Sequence, residues 1–115
     1  MFHTKLSLSV GLAALLLTAG CAEHPVLNNP SAATIDAAET PAEHEAVAKS
    51  YEDEARRLSK EADTHQELAN LYKPTSRNAG MGVHCAALEK EYRAAARENL
   101  ELAAIQHELA KEAAK

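Results

Sequence analysis

From residue 44 onward, every seventh position reads His44, Tyr51, Leu58, His65 and Tyr72, and four residues after each of the first four stands an alanine: Ala48, Ala55, Ala62 and Ala69. A strict seven-residue repeat keeps one face of an α-helix turned toward a partner, because two turns of slightly under-wound helix consume seven residues. The chain therefore holds a long helix with a seam. The seam is unusual, since two of its larger positions are histidine and every smaller one is alanine. Both ends of this helix are marked. Thr40-Pro41-Ala42-Glu43 sets a hydroxyl at the N-cap, proline at the first helical position and glutamate at the third, the pattern of a capping box. Lys73-Pro74 closes the helix, because proline lacks an N–H and disfavours helix in the residue before it. Residues 41 to 72 would span about 48 Å at the helical rise.

Thr75, Ser76, Asn78 and Gly80 then give a loop composition, and a second helix is expected over about 80 to 113. Its large apolar residues also fall on a heptad, with Met81, Leu88, Leu102 and Leu109 around Ala95. Two helices joined by a short loop pack antiparallel. With the turn near residue 75, facing residues have numbers adding to about 150. Ala48, Ala55, Ala62 and Ala69 would meet Leu102, Ala95, Leu88 and Met81, so that small side chains receive large ones. In the other row Leu58 faces Tyr92, Tyr51 faces Asn99 or Leu100, His65 faces His84 or Cys85, and His44 faces Gln106 or His107. The expected fold class is all-α, a long antiparallel two-helix hairpin (about 41–72 and 80–113) forming a domain over residues 40–115. So few large side chains bury little apolar surface, and Val47, Leu68, Leu71, Val83, Leu100 and Ile105 lie partly off the seam. This predicts self-association, as an antiparallel dimer forming a four-helix bundle, or docking on a partner protein of the envelope.

Composition agrees with helices. There is no tryptophan and a single phenylalanine, Phe2, and β-branched residues are sparse after Ile35. A formal charge of −5 offers no basic face, which argues against nucleic acid as a partner. Near the amino terminus, Lys5 precedes an apolar run from Leu6 to Leu17 and the small residues Thr18, Ala19 and Gly20. The run falls short of the roughly 20 residues that a spanning helix needs, and residues 1–20 read as an export signal. Leu17-Thr18-Ala19-Gly20-Cys21 resembles the lipobox of bacterial lipoproteins, with Thr18 where that family usually has leucine. The resemblance implies that Cys21 is acylated and becomes the first residue of the mature protein. Because Ala22, not aspartate, follows it, the resemblance also implies a lipid anchor in the outer membrane, facing the periplasm. Residues 21–39 carry Pro25, Pro30, Asn28 and Asn29 without an apolar period, the composition of a flexible tether.

With Cys21 acylated, Cys85 has no partner within the chain and is expected to be buried, bound to a metal, or paired with another molecule. His65, His84 and Cys85, with Met81 nearby, would gather at the loop end, and His44 with His107 at the open end. Imidazole with thiolate and thioether suits copper, and nitrogen with sulfur and carboxylate suits zinc. In size, leader and scattered histidines the chain resembles small periplasmic metal-binding helical proteins. The other reading has no metal: the histidines and tyrosines are polar seam residues that set helix register in a structural or partner-docking lipoprotein. Enzymatic chemistry is not expected, since a hairpin offers neither pocket nor oxyanion site to a Cys85–His65 pair. Glu52, Asp53 and Glu54 point in three directions on a helix and read as solvated surface.

Overall fold

The computed structural model describes residues 24–72 and 77–115. The export signal and Cys21 lie outside the described residues. Three helices follow in chain order: α1 (Ala32–Asp36), α2 (Pro41–Leu71) and α3 (Ala79–Ala113). Among the described residues there is no strand. Helices α2 and α3 pack along each other as an antiparallel hairpin, the expected all-α architecture. At the start of α2 the Thr40 hydroxyl accepts from the Glu43 N–H at 3.2 Å, and the Glu43 carboxylate accepts from the Thr40 and Glu39 N–H groups at 3.0 and 2.9 Å. Pro41 supplies a fixed φ where no donor is needed. The end of α2 is capped by Tyr72, whose N–H donates to the Leu68 carbonyl at 3.1 Å.

On α2 the buried residues are those of the heptad, Ala48, Tyr51, Ala55, Leu58, Ala62 and His65, with Val47 and Glu54 beside them. On α3 the buried set is Gly82, Cys85, Leu88, Tyr92, Ala96, Asn99, Ala103, Gln106 and Ala110. The facing alternatives resolve accordingly. Asn99, Cys85 and Gln106 are buried, Leu100 and His84 are exposed, and His107 is half-buried. The small row of α3 keeps Leu88 where it is expected, buried in one cluster with Ala62, and is displaced by one residue elsewhere. It is Gly82, Ala96, Ala103 and Ala110, while Leu102 and Leu109 sit on the flank at 36% exposure. The physical reason is the alanine row of α2. Small residues on both helices let the backbones approach closely, and a seam that narrow has room for alanine, not for leucine at 102 and 109.

Residues 24–39 correct a second expectation, for they lie against the hairpin instead of forming a free tether. The Asn28 N–H donates to Glu54 Oε1 at 2.9 Å, Arg57 donates to the Val26 carbonyl at 2.7 Å, and His24 Nδ1 meets Glu91 Oε2 at 2.8 Å. Further on, α1 is capped by Ser31, whose hydroxyl accepts from the Thr34 N–H at 3.1 Å. Ile35 and Ala38 pack against the cluster of Val47, Ala48, Tyr51 and Ala103. The segment is a strap running along α2 toward the open end of the hairpin. Beneath it Glu54 is only 5% exposed, which corrects the reading of this residue as solvated. Arg57 bonds the Glu54 carboxylate through both Nε and Nη2, at 2.9 and 2.6 Å. That guanidinium and the Asn28 N–H hold the Glu54 carboxyl below the usual carboxylate range.

Candidate functional site

The polar seam is where chemistry-bearing side chains meet. Toward the loop end, His65 is buried with its ring 4.9 Å from that of Tyr92, which belongs to a cluster with Leu58, Ala62, Cys85 and Leu88. His65 Nδ1 finds no hydrogen-bond partner among the described residues, and neither does Asn99 Oδ1, although Asn99 Nδ2 donates to the Ala95 carbonyl at 3.0 Å. Toward the open end His44 Nδ1 and Gln106 Oε1 are 2.9 Å apart, joining the two helices across the seam. Next to them the imidazole of His107 lies between two glutamates one heptad apart on α2. Nδ1 is 2.8 Å from Glu45 Oε2 and Nε2 is 2.8 Å from Glu52 Oε1. On the same flank Arg93 reaches from α3 to Asp63 at 3.0 Å and Gln66 at 3.3 Å while also bonding Glu89 on its own helix.

These contacts sort the expected ligand sets. His44 and His107 do not meet each other; each takes a different partner on the facing helix. At the loop end His65 and Cys85 are buried, but His84 is exposed and Met81 half-buried, so the three expected nitrogen and sulfur ligands are not gathered. Among the described residues no group of three or more His, Cys, Asp or Glu side chains could hold a metal ion. The geometry at His107 shows why histidine near two carboxylates is not enough. The carboxylates occupy opposite edges of the ring, and each ring nitrogen is already bonded. Cys85 is buried, as expected, and is disulfide-bonded, which corrects the expectation that it has no partner within the chain. The chain's other cysteine is Cys21. A sulfur that carries a thioether-linked lipid has no bond left for a disulfide, so acylation of Cys21 and a bridge from it to Cys85 are mutually exclusive.

The site that sequence reasoning missed is the Glu45–His107–Glu52 clasp. Its signal was available: Glu45 adjoins His44, the seam position opposite which His107 was placed, and Glu52 follows Glu45 by seven residues. Glu52, through its hydrogen bond, is the larger cause of a His107 pKa raised above the ordinary histidine value, with Glu45 adding to it; Lys111 also lies near Glu45. A raised value in the folded state means that the clasp contributes fully below the unfolded-state value of about 6.5 and is lost as pH rises through the folded-state value. Wild type should therefore lose more thermal stability between pH 6 and pH 9 than His107→Gln. Equal slopes for the two proteins in pH-dependent thermal melts would remove the clasp from the account. The effect is small, because the three side chains are partly solvated.

Compared with models of known families, with characterised proteins and with solved structures, this chain matches none. Among the described residues no helix is long and apolar enough to cross a membrane. What fold and site define together is a class, a strapped antiparallel helical hairpin whose seam is crossed by polar side chains.

Proposed function

We propose that this chain is a lipid-anchored protein of the bacterial envelope, held in the outer membrane through Cys21, and that its hairpin is a non-enzymatic structural and docking module. Leu17-Thr18-Ala19-Gly20-Cys21 supports the anchor. The observation that carries the hairpin's role is the use of its histidines between the helices: His44 on Gln106 and His107 on Glu45 and Glu52. Polar groups that must find one partner across a seam penalise every other register, since a slipped pairing leaves them buried and unsatisfied. Such a helix pair presents a fixed outer surface. On α3 this surface exposes Leu100, Ile105 and, in part, Leu102 and Leu109, the residues that self-association or a partner would cover.

The test is labelling of the full chain with radioactive palmitate in a bacterium with two membranes. Label is expected on wild type in the outer-membrane fraction and none on Cys21→Ser. The intact mass of the same preparation should show the acyl groups and a Cys85 that alkylates after unfolding. An unacylated chain in which Cys21 is bridged to Cys85 would sink the anchor. Titration of that protein with zinc or copper is expected to show binding weaker than micromolar; tighter binding abolished by His65→Ala would return the metal reading in place of this one.

A further inference from the structure

We propose that the partner of the hairpin is a second copy of this chain, docked antiparallel along the outer face of α3. This names the occupant of the docking surface, rests on the docking role proposed above, and requires nothing of Cys21. Opposite the buried side of α3, two neighbouring seven-residue rows face away from α2. One holds Lys90, Arg97 and Ala104, the other Ala94, Glu101 and Glu108. All six are exposed except Ala94, which is half-buried. The cations stand toward the loop end of this stripe and the acids toward its open end. Lys90, Arg97 and Glu101 have no hydrogen-bond or ion-pair partner among the described residues, whereas the other two cations of α3, Arg93 and Lys111, are both ion-paired.

A stripe that is basic at one end and acidic at the other is complementary to itself once a second copy is turned round by a two-fold axis, and each contact then occurs twice. With the axis at residue 99, facing residues have numbers adding to about 198. Lys90 faces Glu108 of the second copy, Arg97 faces Glu101, and Ala94 faces Ala104. Both cations and both acids pair, and the alanines let the helices approach closely. Further out, Lys111 faces Ala87 and Val83 faces Lys115, so no like charges meet within the two rows. Sliding the second copy by one heptad leaves Lys90 with Glu101, or Arg97 with Glu108, as the single kind of ion pair in the stripe. A parallel pairing sets like against like. Leu100, 54% exposed, lies on one edge of the stripe and meets Leu100 of the second copy beside the axis. On the other edge Glu98 approaches Glu98 of the second copy, and the two Arg97 side chains offset that repulsion. Leu102 and Leu109 stay outside this contact. The result is an antiparallel dimer of four long helices with the two α3 at its centre.

Sedimentation equilibrium of the full chain in density-matched detergent tests this, for wild type, Arg97→Glu, Glu101→Arg and the double variant. Both side chains are exposed and unpartnered, so helicity should match wild type. Each single variant sets like charges together at two symmetry-related places and is expected to weaken dimerisation at least about tenfold, because juxtaposed like charges are costly in an interface. The double variant restores the pairs with their signs exchanged and should return to within about threefold of wild type. Added salt should weaken the wild-type dimer. A wild type that stays monomeric at about 100 μM, dimers indifferent to the single variants, or a double variant as weak as the singles overturns the proposal. Each of these removes the second copy from this face and leaves docking on another protein standing. Zinc or copper bound more tightly than micromolar would instead remove the docking role itself.

Discussion

Replacing Gly82 with alanine is expected to destabilise the hairpin by about 1–3 kcal/mol, the cost of forcing extra atoms into a packed interface. The sign is what makes this informative. Inside a helix, alanine is ordinarily better than glycine by about 0.5–1 kcal/mol, because glycine loses more backbone freedom on folding. At Gly82, however, a Cβ would stand 2.3 Å from the Tyr72 carbonyl oxygen and 3.2 Å from the Tyr72 Cβ. The first of these is backbone at the end of α2, which cannot rotate aside as a side-chain tip can. Gly80 provides the internal control, for a Cβ there meets nothing within 4 Å. Gly80→Ala should therefore stabilise. Thermal melts of the two variants should move in opposite directions, by about 4–8 °C per kcal/mol for a domain of this size. Shifts of the same sign would mean that the helices do not approach closely at Tyr72. The contact also fixes where the seam ends, since it sets the spacing of the helices next to the loop.

The first helix and the pairing of the seam could be read from the sequence because each rests on local chemistry or on a long period. Thr40 to Glu43 carries its own cap, and five heptad positions from His44 to Tyr72 leave one choice of face. Antiparallel pairing then follows from the short loop, and it placed Gln106, Asn99, Tyr92 and Cys85 among the candidates opposite His44, Tyr51, Leu58 and His65. Two features were not legible. The second seam was read from Met81, Leu88, Leu102 and Leu109, because leucine at seven-residue spacing resembles an interface; one residue further on, an alanine row answers the alanine row of α2 more closely. The strap was missed because nothing in its own composition marks it. Its docking depends on the Val26 carbonyl and the Asn28 N–H, backbone groups that every residue has. Their partners, Arg57 and Glu54, looked like ordinary members of a charged helix surface. Glu52, Asp53 and Glu54 do point in three directions, as their spacing requires. One direction meets His107 and another meets the strap, and only Asp53, with Lys49 and Arg56, stays in solvent.

Leu58→Ala is expected to be the most damaging single substitution in the chain, at about 2–5 kcal/mol. Leu58 is fully buried, and among the described residues it is, with Leu88, one of only two large aliphatic side chains below 2% exposure. The cluster around it is otherwise Ala62, Cys85, Tyr92 and Ala96. Small residues in helices have little freedom to move into the vacated volume, so the cavity would stay open and the upper part of the range applies. Small domains have total stabilities of about 5–15 kcal/mol, and one whose seam is mostly alanine and polar groups belongs near the lower limit. Leu58→Ala should then be largely unfolded at 37 °C, visible as lost helicity by circular dichroism. Leu109→Ala discriminates between the two seams. In the row Met81, Leu88, Ala95, Leu102, Leu109, residue 109 would be a core position, and its truncation would cost about as much as that of Leu58. In the row Gly82, Ala96, Ala103, Ala110 it is a flank position already 36% exposed, and its loss should cost about 1 kcal/mol or less, as for other partly solvated sites. Comparable losses for Leu58→Ala and Leu109→Ala would place Leu109 in the seam and return the small row of α3 to Met81, Leu88, Ala95, Leu102 and Leu109.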